Sequence, residues 1–341
     1  MYSCYNDRME WNLLGHDTAI GYLKKHTEPG NTRHAYLITG PDGVGRRTLA
    51  LAFIKALNCT QPPAAGEFCD QCLVCRQINE QRYPDLTVLE VAEGSKDLKI
   101  DQVREMQHTL ALAPYQSRYR TVLIPEFQKA TIGASNALLK SLEEPPAKAV
   151  LILTADAKES LLETIASRCE LIRLRPSTIL SLESYLRDRL GLEQNLAKRL
   201  AHLTGGRAGA AITYSQNEDA LAAYDTAIDD LTNLLRSNLR GRLQYVEKKQ
   251  GRKGNTREQF AFLIATWLTF WRDVMIAREG ANIPLVNLDQ EELIRETAAL
   301  MSSGQIKEIL GNHEKGLGQL DANVNPRLVV ENLLLNLPVV G

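Results

Sequence analysis

The sequence lacks a charge excess of either sign, a long hydrophobic run and any internal repeat. Its 341 residues carry 40 Lys and Arg against 41 Asp and Glu, so the net charge is −1 and any binding to nucleic acid must be local. The longest uncharged apolar-rich run, Phe260 to Trp271, has twelve residues, too few to span a bilayer. Residues 1–11 contain no apolar core of the kind that a signal peptide needs. We therefore expect a cytoplasmic protein without a membrane partner.

The six cysteines of a cytoplasmic chain are expected to be thiols or metal ligands rather than disulfides. Four of them, Cys59, Cys69, Cys72 and Cys75, are separated by nine, two and two residues. Four closely spaced thiolates suit tetrahedral Zn²⁺, and a site with four protein ligands has no open position, so the zinc should be structural. A redox CxxC would leave two of these cysteines unused, and the spacing differs from the common ferredoxin runs. Both stay as alternatives, while Cys4 and Cys169 are expected to be ordinary thiols.

The first half of the chain alternates short apolar runs with helical stretches. Such alternation predicts an α/β fold, with a parallel sheet covered by helices on both faces. Pro145-Pro146 is expected to end one of the helices, since proline has no N–H and clashes with the preceding turn. The predicted strands are Ala35 to Thr39, Leu86 to Val91, Thr121 to Pro125, Val150 to Thr154 and Glu170 to Leu174. The predicted helices are Arg47 to Leu57, Ile100 to Leu112 and Ser135 to Glu144.

After Pro176 the strand signal stops and the remaining pattern is helical. Phe260, Trp267 and Trp271 belong to one apolar stripe at helical spacing, which we expect to pack against helices of the same domain or of a neighbouring subunit. The basic stretch 236–257 is interpreted as a solvated helix end or loop, with nucleic-acid binding as the alternative. The predicted helices are Leu180 to Leu190, Glu193 to Leu203, Glu218 to Leu239, Gln290 to Met301 and Pro326 to Leu337.

The segment GPDGVGRRT, residues 40–48, nearly matches the phosphate-binding pattern GxxxxGK[ST] and lies between a predicted strand and a predicted helix. In a working loop the glycines turn backbone N–H groups toward phosphate oxygens, the lysine reaches the outer phosphates and the following hydroxyl binds Mg²⁺. Here an arginine stands at the lysine position and a second arginine at the hydroxyl position. The candidate nucleotide-binding residues are Gly40, Gly43, Gly45, Arg46, Arg47 and Thr48. The loop either retains nucleotide binding or simply joins the strand to the helix.

A second departure concerns the end of the strand at Val122. Enzymes with a phosphate loop place a magnesium-binding aspartate there, whereas this chain has Pro125 followed by Glu126. Since two magnesium positions are lost, ATP hydrolysis by this chain is not expected. Arg168, in the sequence Ala166-Ser167-Arg168-Cys169, could instead serve a neighbour's site, because an arginine supplied in trans stabilises charge on a transferred phosphoryl group.

The motifs taken together resemble those of bacterial clamp-loader subunits of DNA polymerase III, and the resemblance covers nearly the whole chain. Two further segments match the family, one on its adenine side and one in its C-terminal signature. The matching segments, in chain order, are LLGH (13–16), HAYLITGPDGVGRRTLA (34–50), the four-cysteine module (59–75), SNALLKSLEEPP (135–146), ASRC (166–169) and DANVNPRL (321–328).

The resemblance implies an AAA+ domain over residues 1–175 with a zinc module at 59–75, a helical lid over 176–218 and a helical collar over 219–341 that joins five subunits into a ring. The family's arginine finger falls on Arg168 and its sensor-1 position near Thr154. Arg207 lies near the sensor-2 position.

The departures at Arg46, Arg47 and Pro125 favour the family's non-catalytic stator over its ATPase subunits. Such a subunit braces the ring and donates an arginine finger to ATP held by its neighbour. Its implied partners are the gamma/tau and delta subunits and, through the complex, the sliding clamp and primed DNA. It would count as part of a DNA-directed DNA polymerase, a nucleotidyltransferase, without being an enzyme by itself. An ATPase motor subunit and a zinc-dependent DNA-binding module are the alternatives.

Overall fold

The computed structural model describes residues 11, 13–92, 94–250 and 256–338. The chain divides into two compact units, one made of Met1–Tyr185 with Gly206–Ala210, the other of Leu186–Gly205 with Ala211–Gly341. Cys4 and residues 251–255 of the basic stretch lie outside the described residues. The finer division into a helical lid and a helical collar stays a prediction.

The first unit contains a five-stranded sheet in the order β2-β3-β4-β1-β5, with every neighbouring pair parallel. Tyr36 and Ile38 belong to the apolar cluster on one face, whereas Ala35 and Leu37 belong to the cluster on the other. Both faces are therefore covered, which explains why the strands have continuous apolar runs. The strands are β1 (Ala35–Thr39), β2 (Leu86–Val88), β3 (Arg120–Ile124), β4 (Ala149–Ala155) and β5 (Glu170–Arg173).

Helices cover the sheet and connect its strands. Thr131 caps the fifth helix by accepting a hydrogen bond from the N–H of Ala134. Pro145 and Pro146 follow closely on the end of that helix, as the sequence predicts. The helices up to the unit boundary are α1 (Asp17–His26), α2 (Arg46–Asn58), α3 (Leu73–Asn79), α4 (Ile100–Leu110), α5 (Ile132–Glu143), α6 (Glu163–Ala166) and α7 (Ile179–Leu190).

The second unit is helical, as expected from the loss of the strand signal. Its remaining helices are α8 (Gln194–Leu203), α9 (Ala208–Gln216), α10 (Glu218–Leu235), α11 (Leu239–Gln250), α12 (Thr256–Glu279), α13 (Glu291–Leu300), α14 (Ser303–Asp321) and α15 (Pro326–Leu335). The parallel α/β sheet followed by a helical C-terminal region confirms the predicted fold class at this level.

Helix α12 carries the apolar stripe, and it packs against α10, α13, α14 and α15 of its own unit. Trp267 and Trp271 are fully buried there, and Trp267 donates to the carbonyl of Ala227 over 2.8 Å. By length and composition α12 is apolar enough to cross a membrane, which the uninterrupted run of twelve residues did not indicate. Half of its apolar window is buried inside the protein, and the buried Asp273 accepts hydrogen bonds from the N–H groups of Val286 and Asn287. The stripe therefore serves packing within the chain.

The basic stretch is not uniformly solvated, which corrects the interpretation from sequence. The predicted helix Glu218 to Leu239 ends at Leu235, and α11 begins at Leu239. Arg242 on α11 is only 3% exposed, and its guanidinium donates to four carbonyl oxygens. The acceptors are the carbonyls of Leu234, Leu334, Leu337 and Pro338. Because these carbonyls lie at the C-terminal ends of α10 and α15 or just beyond, Arg242 ties the two helix ends together.

Candidate functional site

The phosphate-loop segment joins β1 to α2, as predicted, and its glycines adopt conformations that other residues rarely reach. Gly43 has φ 76° and Gly45 has φ 106°. A Cβ at Gly43 would lie 2.7 Å from that of Ala210, and a Cβ at Gly45 would lie 2.8 Å from Cδ2 of Leu13. The glycines are therefore required both for the turn and for the close approach of two other segments.

Those two segments enclose the loop within the first unit. The N–H of Ala210 donates to the carbonyl of Gly43 over 3.2 Å, and Arg207 donates to the carbonyl of Asp42 over 3.3 Å. On the other side, Nε2 of His16 lies 3.0 Å from the carbonyl of Val44. Burial lowers the pKa of His16 although its contacts with Val44 and Asp17 act in the opposite direction. Arg207, which lies near the sensor-2 position, and the LLGH segment thus both reach the loop.

Arg46, which stands where a phosphate loop has lysine, is only 6% exposed and is paired within the chain. Its Nη1 lies 2.6 Å from Oδ1 of Asp156, and its Nη2 lies 3.4 Å from Oδ1 of Asp42. The second carboxylate oxygen of Asp156 accepts a hydrogen bond from Gln128 over 3.0 Å. Asp156 directly follows β4, and no sequence motif pointed to it.

Arg47 points to a different pair of acceptors. It forms an ion pair with Glu90 and donates to Oε1 of Gln81 over 3.0 Å. Thr48, the nearest hydroxyl to the expected magnesium position, is exposed on α2. A guanidinium cannot ligate Mg²⁺, because it offers donors only.

At the end of β3 the position of the missing aspartate is taken by Pro125, and Glu126 has φ 49°. The N–H of Glu126 donates to the buried hydroxyl of Thr154 over 3.0 Å. The Glu126 carboxylate pairs with Lys129 over 2.8 Å. The hydroxyl of Thr154, which lies near the predicted sensor-1 position, therefore accepts a hydrogen bond from the backbone at the end of the neighbouring strand.

Arg168 lies between α6 and β5, and its side chain is 38% exposed. Its Nη2 lies 2.8 Å from Oε1 of Glu143 at the end of α5, and its Nη1 donates to the carbonyl of Thr164 over 2.8 Å. Glu143, within the SLEEPP motif, is a partner that was not predicted from the sequence. Only the order of the motifs, with both in the same half of the chain, hinted at their proximity.

The four predicted metal ligands come together, which confirms their grouping. Sγ atoms of Cys59, Cys69, Cys72 and Cys75 all lie within 4.8 Å of one another. Cys59 lies 3.6 Å from Cys69 and 3.9 Å from Cys72, measured between sulfurs. A tetrahedron of sulfurs at 2.3 Å from zinc has edges of about 3.8 Å, so this donor set fits the metal. The cluster could therefore bind a metal ion.

The sulfurs also have backbone partners of the kind that stabilise thiolates. The N–H of Cys72 donates to Sγ of Cys69 over 3.2 Å, and the N–H of Cys75 donates to Sγ of Cys72 over 3.4 Å. Burial would raise the pKa of Cys72, but the bonds from Cys75 and Thr60 outweigh it and lower the pKa to about 6. Burial raises the pKa of Cys59 and of Cys75. Because cysteine ligands bind a metal as thiolates, metal binding here would release protons and its affinity would depend on pH.

The segment that carries the cysteines contacts helix α2 and Trp11. Lys55 on α2 lies 2.5 Å from the Asp70 carboxylate and 4.0 Å from the centre of the Phe68 ring. Trp11 donates to the carbonyl of Gly66 over 3.2 Å. The cysteine loop is thus part of the first unit's packing.

Two family models match separate parts of the chain. One described as DNA polymerase III, delta subunit, matches residues 15–178, which contain the sheet, the phosphate loop and the cysteine cluster. The other, described as DNA polymerase III, delta subunit, C terminal, matches residues 255–338, which contain α12 to α15. The DNA polymerase III subunit delta' of Pseudomonas aeruginosa is 40% identical over 40% of this chain and 41% of its own length. The chain belongs to the DNA polymerase III delta-prime family.

Members of the delta-prime family and their gamma/tau relatives match more of the chain at lower identity. The Escherichia coli subunit delta' is 27% identical over 91% of this chain and 90% of its own length. The gamma/tau subunit of Mycobacterium tuberculosis is 26% identical over 97% of this chain and 61% of its own length. Among solved structures, a gamma subunit-related protein of Thermotoga maritima has a TM-score of 0.44 and 20% identity, covering 93% of this chain and 97% of its own. The chain therefore spans only about two to three fifths of the length of the first relatives that it matches.

Proposed function

We propose that the chain is a non-catalytic, stator-like subunit of a bacterial DNA polymerase III clamp loader. The observation that carries this proposal is the pairing of Arg46 inside the chain. A lysine or arginine that serves a phosphate must be free to meet it, whereas Arg46 is buried and bound to Asp156 and Asp42. The loop would then keep the shape of a nucleotide site while using an internal ion pair in place of a phosphate.

The remaining magnesium positions support the same proposal. Arg47 is paired with Glu90, and Pro125 offers no carboxylate at the end of β3. Without a magnesium ligand set, the positioning and charge stabilisation on which phosphoryl transfer depends are missing. The chain would contribute to a polymerase holoenzyme without a reaction of its own.

Arg168 is the residue proposed to act on ATP held by an adjacent subunit. A guanidinium has five N–H donors. One N–H of Nη1 donates to the carbonyl of Thr164, and Nη2 forms an ion pair with Glu143. The remaining donors are available on a side chain that is more than one third exposed. In a ring, the adjacent subunit's nucleotide would supply the anionic oxygens that these donors need.

The four-cysteine cluster is proposed to hold structural Zn²⁺. Four thiolates complete a tetrahedral set and leave no position for a reacting water, so the ion would stabilise the module rather than catalyse. The proposed partners are gamma/tau and delta subunits in a cytoplasmic hetero-pentamer, with the sliding clamp and primer-template DNA engaged through the complex. Within the basic stretch 236–257, Arg242 is buried and would not contact DNA.

The proposal is tested with the purified chain and with a loader reconstituted from its partner subunits. The chain alone should show no DNA-stimulated ATPase and no magnesium-dependent ATP binding by calorimetry. In the reconstituted loader, Arg168→Ala should lower ATPase activity by at least about tenfold while leaving assembly intact. An arginine finger is known to raise kcat by about 10³-fold or more.

Arg175→Ala is the matched control, because Arg175 is an exposed arginine seven positions further on. It should leave the ATPase unchanged. Turnover by the chain alone would support the ATPase motor alternative, and an unchanged rate with Arg168→Ala would remove that residue from the mechanism.

A further inference from the structure

Two rigid pieces of backbone bring Glu143 and Arg168 together. Glu143 is the last residue of α5, and Pro145 and Pro146 prevent the helix from continuing. Arg168 follows the short helix α6, and its own N–H donates to the carbonyl of Ile165 over 3.0 Å. Since neither backbone is a free loop, the 2.8 Å contact between the two side chains joins two fixed points.

The contact with Glu143 orients the guanidinium of Arg168 and leaves part of its donor capacity for another partner. Nη2 forms an ion pair with Oε1 of Glu143, and Nη1 donates a hydrogen bond to the carbonyl of Thr164. Both terminal nitrogens therefore have a partner within the chain, and the guanidinium keeps further N–H donors for another anion. A lysine could not do this, because its ammonium is a single point charge rather than a planar fork.

Stability is a poor explanation for this ion pair. The Arg168 side chain is 38% exposed and that of Glu143 is 52% exposed. Pairs with this exposure are screened by water and salt and contribute little to folding. Holding a long arginine side chain in one orientation does, however, lower the entropy that it must lose when it meets a ligand.

We propose that Glu143 is a positioning residue that holds Arg168 ready for the neighbouring subunit's nucleotide. The inference rests on the proposed role of Arg168 in trans. Glu143 itself is not proposed to touch ATP. Its carboxylate acts through the guanidinium, so losing it should affect the rate of the chemical step more than the binding of ATP.

The test measures kcat and KM for ATP in the loader reconstituted with its partner subunits, clamp and primed DNA. We expect Glu143→Ala to lower kcat about threefold with KM unchanged, in proportion to an exposed ion pair's modest strength. Glu143→Gln, which keeps the acceptor oxygen but not the charge, should fall between the wild type and Glu143→Ala. Glu144→Gln is the matched control at the next, exposed position and should behave as the wild type.

Three further readouts separate positioning from folding and from failure of the proposed function. The melting temperature of the chain should change by less than about 2 °C in Glu143→Ala. In an Arg168→Ala background, adding Glu143→Ala should have no further effect. If Arg168→Ala lowers kcat but Glu143→Ala leaves it unchanged or raises it, the positioning role is overturned. If Arg168→Ala itself changes nothing, the proposed function fails instead.

Discussion

Arg46 and Asp156 are 110 residues apart in the sequence, yet Nη1 of the arginine lies 2.6 Å from Oδ1 of the aspartate. The pair joins the first turn of α2 to the residue that follows β4. Because β1 and β4 are neighbours in the sheet, the loop after β1 and the end of β4 lie at the same edge. Arg46, which departs from the phosphate-loop sequence pattern, therefore has a defined structural partner.

The Arg46–Asp156 pair should contribute to the stability of the chain. Asp156→Asn leaves the buried guanidinium without its nearest charge, and we expect a loss of about 1–2 kcal/mol, reduced from the cost in a fully buried pair because Asp156 is itself half-exposed. Urea unfolding measures the change. Asp101→Asn is the control, since Asp101 is 88% exposed and lies 3.7 Å from Arg104. Equal losses in the two variants would contradict the assignment.

The cysteine cluster should bind about one zinc ion per chain, as measured by mass spectrometry of the metal. Cys75→Ser removes a fully buried donor, and the affinity should fall by more than about 100-fold, since even outer partners of such ligands contribute about 10–100-fold. Cys169→Ser should retain the full zinc content, because Cys169 lies outside the cluster. Loss of zinc in both variants would point to unfolding rather than to a lost ligand.

Arg242 should be one of the residues on which the helical unit depends most. Arg242→Leu leaves four carbonyl oxygens without their donor, and we expect a loss of about 3 kcal/mol in the free energy of unfolding. Arg240→Leu, two residues earlier on the same helix and exposed, should cost less than about 0.5 kcal/mol. Thermal unfolding followed by circular dichroism compares them. A small effect of Arg242→Leu would mean that water replaces the guanidinium.

His313 should make the stability of the helical unit depend on pH. It is 1% exposed, and burial lowers its pKa to about 4, although its contact with the carbonyl of Ile309 acts in the opposite direction. The pKa of histidine in the unfolded chain is about 6.5. Above that pH the imidazole is neutral in both the folded and the unfolded state, so it does not change the free energy of unfolding. As the pH falls from 6.5 to 4, His313 takes up a proton in the unfolded chain before it does so in the folded chain. The free energy of unfolding therefore falls by up to about 3 kcal/mol.

The measurement for His313 is the free energy of unfolding across that pH window. His313→Asn keeps a donor for Ile309 and cannot titrate, so its stability should fall less steeply between pH 6.5 and 4. His108→Asn, at an exposed position on α4, should keep the slope of the wild type. Parallel curves for all three proteins would show that His313 does not carry the dependence.

Most elements could be predicted because their signals are local. Strand β1 runs from Ala35 to Thr39 as predicted, since a short apolar run between polar segments is typical of a buried strand. Strand β2 was predicted to reach Val91 but ends at Val88, although the N–H of Leu89 still donates to Leu123. Helix α14 was missed, because its glycines lower helix propensity. Packing compensates for one of them, Gly316, where a Cβ would lie 3.2 Å from Leu333 on α15.

The amino-acid sequence by itself determined the metal-ligand set and the shape of the phosphate loop. Cys69, Cys72 and Cys75 lie within seven residues, and the glycines of the loop act on their own turns, so spacing alone is informative. Only the tertiary structure decided that Asp156 pairs with Arg46 and that Glu143 pairs with Arg168. Those partners depend on which strand ends and helix ends the sheet brings together, and no local rule specifies a contact across more than twenty residues.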